Sequence, residues 1–284
     1  MVKNNAILSR LYTQDVFNKM VHDKRNSTYE TVIQRYVDDP EDKANGELIS
    51  EVYHFMSKEY RNEYFYQNTL LNKLLLGKHS INTTTALKQI PINRSKADFI
   101  LINGKGVVYE IKTELDTLDR LDTQLADYHK AFDHVCIVTA ENHFDRALEL
   151  LSDTPVGIYV LTKNNTISKK LLKEPRADNS KLNHTVIFKL LHKYEQEDLL
   201  LQYYRKLPSS TPAFYYGKCM EWFLQIPILR AYDLALKQLK KRNKVLISEL
   251  EKVPYELKSL MYFSKPTRSD WDDLHEFLRK RYKG

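Results

Sequence analysis

The stretch KADFILINGKGVVYEIKTE, residues 96–114, constrains this chain more than any other. Two runs of strand-like composition flank Asn103-Gly104. That pair favours a two-residue hairpin, because a type I′ turn needs positive φ at both central positions. On the second run, Val108, Glu110 and Lys112 share one face, and Val107, Tyr109, Ile111 and Thr113 share the other. Asp98, on the first run, shares its face with Ile100 and Ile102. Burying such charges costs on the order of several kcal/mol each unless they are paired or hold a metal. The hairpin therefore either forms a salt bridge on a wet sheet face or carries a charged site.

The surrounding chain favours a site. At 284 residues and 42% hydrophobic content it can bury a substantial core. It contains 7 glycines and no low-complexity tract, which argues against extended disorder. No apolar run is long enough for a membrane span and the first residues lack a signal-peptide core, so a soluble, cytoplasmic protein with no membrane partner is expected. Cys136 and Cys219 have no metal-ligand spacing, and the nine histidines form no H-x-x-x-H pair. Of the net charge of +7, residues 171–284 carry +8 (22 Lys/Arg against 14 Asp/Glu) and residues 1–170 carry −1 (22 against 23). A polyanionic partner is thus expected to meet the C-terminal part.

Apolar periodicity predicts two short helices over 7–37, an acidic loop, and a helix over 47–76 with a break near Tyr60-Arg61. Strands follow at 83–92, 96–102 and 107–113, then a helix at 115–132, a buried strand at 134–140, a helix at 143–152 and a buried strand at 156–162. The last two strands are apolar throughout and are expected to be parallel, with helical crossovers. After a polar connector, helices are expected at 184–194, 195–206, 213–225, 228–243, 244–252 and 270–282. The last would be capped by Ser269. This reads as an N-terminal helical segment (1–46), an α/β core (47–175) and a helical C-terminal domain (176–284).

Asp98, an eleven-residue gap, then Glu110-Ile111-Lys112 on the next strand resembles the PD-(D/E)XK nuclease superfamily, in an uncharacterised bacterial branch. Ala97 stands where that pattern has proline. The resemblance covers roughly residues 47–162. It implies a restriction-endonuclease-like mixed sheet with an αβββαβ core, plus an extra helix and strand. It further implies a Mg²⁺- (or Mn²⁺-) dependent nuclease acting on nucleic acid, with DNA the expected substrate. A hard divalent cation wants oxygen ligands and keeps several waters, and it lowers the pKa of a bound water while screening the phosphate. By this resemblance Asp98, Glu110 and the Ile111 carbonyl would hold the metal, and Lys112 would orient the attacking water. A further Glu from the preceding helix would be Glu63, at the head of the Gln67, Leu70, Leu74 stripe, with Glu59 and then Glu51 as the other candidates. Gln124, with Tyr128 one turn on, would reach the site from the following helix.

Glu114, Asp116 and Asp119 read as first-turn acids of the 115–132 helix. GKG at 104–106 lacks what a phosphate loop needs. The basic runs KQLKKRNK (237–244) and RKRYK (279–283) read as solvated helix ends or as backbone contacts. A catalytically inactive nucleic-acid-binding or adaptor protein on the same core is the alternative function. The C-terminal helices could also dock a protein partner.

Overall fold

The structure is a computed structural model that describes residues 5–22, 26–77, 82–242 and 245–283. Its centre is a six-stranded sheet in the order β1-β2-β3-β4-β5-β6. The strands are β1 (Thr85–Ile92), β2 (Ser95–Asn103), β3 (Lys105–Lys112), β4 (His134–Ala140), β5 (Gly157–Leu161) and β6 (Ile167–Lys173). β1, β2 and β3 run antiparallel, β3, β4 and β5 parallel, and β6 antiparallel to β5. The helices α6 (Leu121–Tyr128) and α7 (Phe144–Leu151) make the parallel crossovers. The expected mixed α/β sheet is present.

The hairpin turn is tighter than its Asn-Gly signal implies. Asn103 pairs with Lys105 and Ile102 with Gly106, so Gly104 alone forms the tip. Gly104 has φ of 72°, while Asn103 is not among the positive-φ residues. Gly106 serves packing instead. A Cβ there would lie 2.7 Å from Leu236 Cδ2 and 2.8 Å from Phe132 Cδ1.

Fourteen α-helices surround the sheet among the described residues. The N-terminal part forms three short helices rather than two: α1 (Ala6–Leu11), α2 (Gln14–His22) and α3 (Ser27–Tyr36). The expected break separates α4 (Asn45–Glu59) from α5 (Glu63–Leu70), and a π-helical turn (Leu71–Leu76) follows. The Asn62 side chain caps α5 by accepting from the Phe65 N–H. The 115–132 helix starts late, at Leu121. Asp116 Oδ2 takes both the backbone N–H and the hydroxyl of Thr113 at 2.8 Å, which closes a turn after β3 in place of a first helical turn.

β6 lies in the segment read as a polar connector. It is a half-exposed edge strand, and Lys169, Lys170 and Lys173 on such a strand read as a loop. The C-terminal helices are α8 (His184–Leu190), α9 (Lys193–Tyr204), α10 (Pro212–Leu224), α11 (Ile228–Lys240), α12 (Ile247–Lys252), α13 (Lys258–Ser264) and α14 (Arg268–Arg279). α13 is additional to the expected helices. The cap of α14 is Thr267, not Ser269, and it accepts from the Asp270 N–H. The start of the 244–252 helix falls partly outside the described residues.

These helices divide between two cores. One core joins Leu8, Val32, Leu48 and Phe65 to Phe99, Ile111 and Val138 of the sheet and to Leu260 and Trp271. The other joins Ile100, Val108 and Ile137 to Leu125 and Phe132, and to Phe188, Phe223 and Leu234. Helices after residue 175 thus cover both faces of the sheet.

Candidate active site

Asp98, Glu110 and Lys112 meet at the end of the sheet where the parallel strands β3, β4 and β5 have their carboxyl ends, the place where α/β sheets bind ligands. The pairing of Phe99 with Tyr109 continues so that Asp98 stands opposite Glu110. There the backbone ladder gives way to a side chain: the Ile111 N–H donates to Asp98 Oδ2 at 2.9 Å.

Glu110 is 2% exposed and both of its oxygens accept hydrogen bonds. Lys112 Nζ donates to Glu110 Oε1 at 2.9 Å and to Gln124 Oε1 at 2.8 Å. The Gln124 amide donates to the same Glu110 oxygen. Tyr128, one turn along α6, places its hydroxyl 2.6 Å from Glu110 Oε2 and 2.9 Å from the Lys96 carbonyl oxygen. Gln124 and Tyr128 project together because they are four residues apart on one helix. Thr139 pairs with Lys112 across β3–β4, and its buried hydroxyl has no partner among the described residues.

Glu63 is the first residue of α5 and reaches the site from the opposite helical layer. Gln89 in β1 links it to the sheet. Its Nε2 donates to Glu63 Oε1 at 2.7 Å and lies 3.2 Å from Asp98 Oδ1. Gln67 also donates to Glu63 Oε1, at 2.6 Å. Glu51 and Glu59 instead line a separate open groove with Tyr36 and His54, of about 970 Å³. Ile111 contributes the N–H described above.

The electrostatics follow from this crowding. Burial, then the charges of Glu110 and Glu63, push the Asp98 carboxyl up to about 8, against the pull of the Ile111 N–H and Lys112. Glu63 is raised too, by burial first and then by Asp116 and Glu110. Like-charged carboxylates held together in this way favour a proton or a cation among them. As the side chains stand, no three His, Cys, Asp or Glu groups among the described residues converge into a closed metal cage. Mg²⁺ does not require one: it is commonly held by one or two carboxylates and keeps its waters. Asp98, with Glu63 or Glu110 beside it, could offer such donors.

Other candidate groups have structural partners. Glu114 pairs with Arg61 and accepts from Tyr66 at 3.1 Å, so it ties α5 to the end of β3. Asp119 accepts from Thr117 at 2.8 Å in the loop before α6. In the 237–244 run, Lys237 pairs with Asp233, Lys241 with Asp198, and Arg242 with Glu195; positions 243–244 lie outside the described residues. In the 279–283 run the Tyr282 N–H donates to the Lys43 carbonyl at 2.9 Å, and Tyr282 is in the core. Three basic side chains of the 237–244 run are thus ion-paired within the molecule.

Sequence reasoning missed Gln89 and Thr139. The signal for Thr139 was visible, since it is the lone hydroxyl in the apolar run HVCIVTA. Gln89 left only the trace of a neutral polar residue inside ALKQIPI.

A family model described as Bacteriophage P4 protein cII matches residues 56–264, which include every site residue above. Protein cII of Enterobacteria phage P4 is 35% identical over 109 residues, covering 38% of this chain and 40% of that protein. The match thus spans less than half of that relative. No solved structure matches the chain.

Proposed function

We propose that this chain, which belongs to the bacteriophage P4 protein cII family, is a metal-dependent nuclease that hydrolyses phosphodiester bonds, with DNA as substrate. The observation that carries the reading is the meeting of Asp98, Glu110 and Lys112 across β2 and β3, with Gln124 and Tyr128 holding Glu110 and Lys112 from α6. Further support comes from the order of helix, three antiparallel strands, helix and parallel strand around it, which fits a restriction-endonuclease-like core. Among the described residues no helix is long and apolar enough to cross a membrane; we place the protein in the cytoplasm with its substrate.

In this reading Asp98 and Glu63, with Glu110 and the Ile111 carbonyl, hold Mg²⁺ or Mn²⁺. The cation, when bound, supplies a more acidic water and screens the phosphate. Lys112 is held by Glu110 Oε1 and Gln124 Oε1, so its ammonium keeps a fixed position beside the carboxylates and can orient a water or a phosphoryl oxygen. Gln124 and Tyr128 hold that geometry. Basic side chains of the C-terminal helices contribute backbone contacts, and their exposed faces are open to a protein partner.

The test is incubation of the purified protein with linear and circular DNA and with RNA, in Mg²⁺, Mn²⁺ or EDTA. Metal-dependent cleavage of DNA that is lost in Lys112→Met supports the reading. Tight nucleic-acid binding without cleavage in any metal replaces it with an inactive adaptor on the same core.

A further inference from the structure

Gln89 stands in the middle of β1 with φ of 53°, in the left-handed region that side chains other than glycine and asparagine rarely adopt. Its neighbours keep regular pairing, Lys88 with Phe99 and Ile90 with Ala97, so Gln89 faces Asp98 directly. The kink changes which residues point where. Leu87, Ile90 and Ile92 all reach the same hydrophobic cluster, although strict alternation would put Leu87 and Ile90 on opposite faces. A backbone state of this kind persists where surrounding structure holds it, and such states cluster at functional sites.

The kink delivers one carboxamide nitrogen to two carboxylates from different layers, Glu63 on α5 and Asp98 on β2. An amide –NH₂ has two hydrogens, one for each. It is neutral, so it brings the two acids together without cancelling either charge. A lysine in its place would quench the pair and compete with a cation.

We infer that Gln89 is a positioning residue that sets the Glu63–Asp98 carboxylate pair for a divalent cation. The inference rests on the metal-site reading above and adds a residue to it. Outer-shell partners of this kind change metal affinity by about 10–100-fold when removed.

The test is calorimetric titration of the metal-free protein with Mn²⁺ alone, with thermal midpoints alongside. Gln89→Gly removes the amide and suits the left-handed backbone. It should stay folded, relief of the backbone strain offsetting the two lost hydrogen bonds, and bind Mn²⁺ about 10–100-fold more weakly. Gln89→Asn also tolerates that backbone and keeps an amide, so it should bind more tightly than the glycine variant. Wild-type affinity in Gln89→Gly, or an asparagine variant no better than the glycine one, overturns the inference. A wild-type protein that binds no Mn²⁺ overturns both this inference and the metal-site reading. The expected order of affinities without cleavage of any nucleic acid upholds the role of Gln89 and removes the nuclease.

Discussion

Asp98 and Glu110 face each other across β2 and β3, and the Ile111 N–H that would continue the ladder bonds the Asp98 carboxylate instead, at 2.9 Å. The two acids are therefore neighbours by strand register, and everything proposed for the site depends on that register.

Lys112→Met should abolish cleavage while leaving Mn²⁺ affinity close to wild type, because an ammonium is not a metal ligand. It removes one of three donors to the buried Glu110 carboxylate, so a loss of stability of about 1–3 kcal/mol is expected. Cleavage assays beside calorimetry and denaturant unfolding check this. Wild-type cleavage by the variant would exclude the assigned role of Lys112.

Asp98→Asn should lose both metal binding and cleavage, since it takes a charged oxygen from a hard cation. Glu110→Gln should do the same and also unfold more easily. In place of Oε1 its new –NH₂ faces the Lys112 and Gln124 donors, in place of Oε2 it turns the Tyr128 proton toward the Lys96 carbonyl, and either way the buried Lys112 ammonium loses its carboxylate partner. Normal Mn²⁺ affinity in Asp98→Asn would remove that residue from the ligand set.

Without metal, stability should peak at mildly acidic pH. Asp98 keeps its proton up to about 8 in the folded protein, against an ordinary value of 3.8. Across that window the folded state binds more protons than the unfolded chain, so stability falls as pH rises, and Glu63 adds the same sign. Asp127 has the opposite effect. Burial raises it, but bonds from Lys130, Asn93 and Ser95 outweigh that and hold it at about 2. Its contribution is full above the ordinary value and is lost as pH falls toward 2. Thermal midpoints in EDTA from pH 2 to 9 should show both limbs. Asp98→Asn should flatten the alkaline limb and Asp127→Asn the acidic one. A midpoint that climbs from pH 5 to 8 would contradict the crowding of carboxylates.

Two hairpin glycines should respond differently to alanine. At Gly104 nothing lies within 4 Å of an added Cβ, so Gly104→Ala should cost only the strain of its φ of 72°, about 1–2 kcal/mol. Gly106→Ala drives a Cβ into Phe132 and Leu236 and should cost about 1–3 kcal/mol as overpacking. A double variant Gly106→Ala/Leu236→Ala should recover part of that loss in urea unfolding, whereas Gly104→Ala should gain nothing from Leu236→Ala. Full additivity at Gly106 would place the strain elsewhere.

The sequence alone determined the elements whose signals are local. The buried strand at 134–140 reads directly from the apolar stretch at 135–138, and the break before Glu63 from a lapse in helical period. Asp98, Glu110 and Lys112 stood out because charges in strand-like runs are costly unless used. Other features depended on partners distant in sequence. β6 is a strand because β5 offers it an edge, and α6 starts late because Asp116 captures Thr113. The hairpin shows the limit most sharply. A two-residue Asn103-Gly104 turn would pair Ile102 with Lys105 and set Asp98 opposite Tyr109, with Glu110 on the far face. The structure pairs Asn103 with Lys105, and close packing of Gly106 against Phe132 and Leu236 accompanies that choice. Since side chains alternate every residue along a strand, this shift of one position decides whether the two acids meet. Turn propensity is a local preference; the register is set by which face the whole core buries.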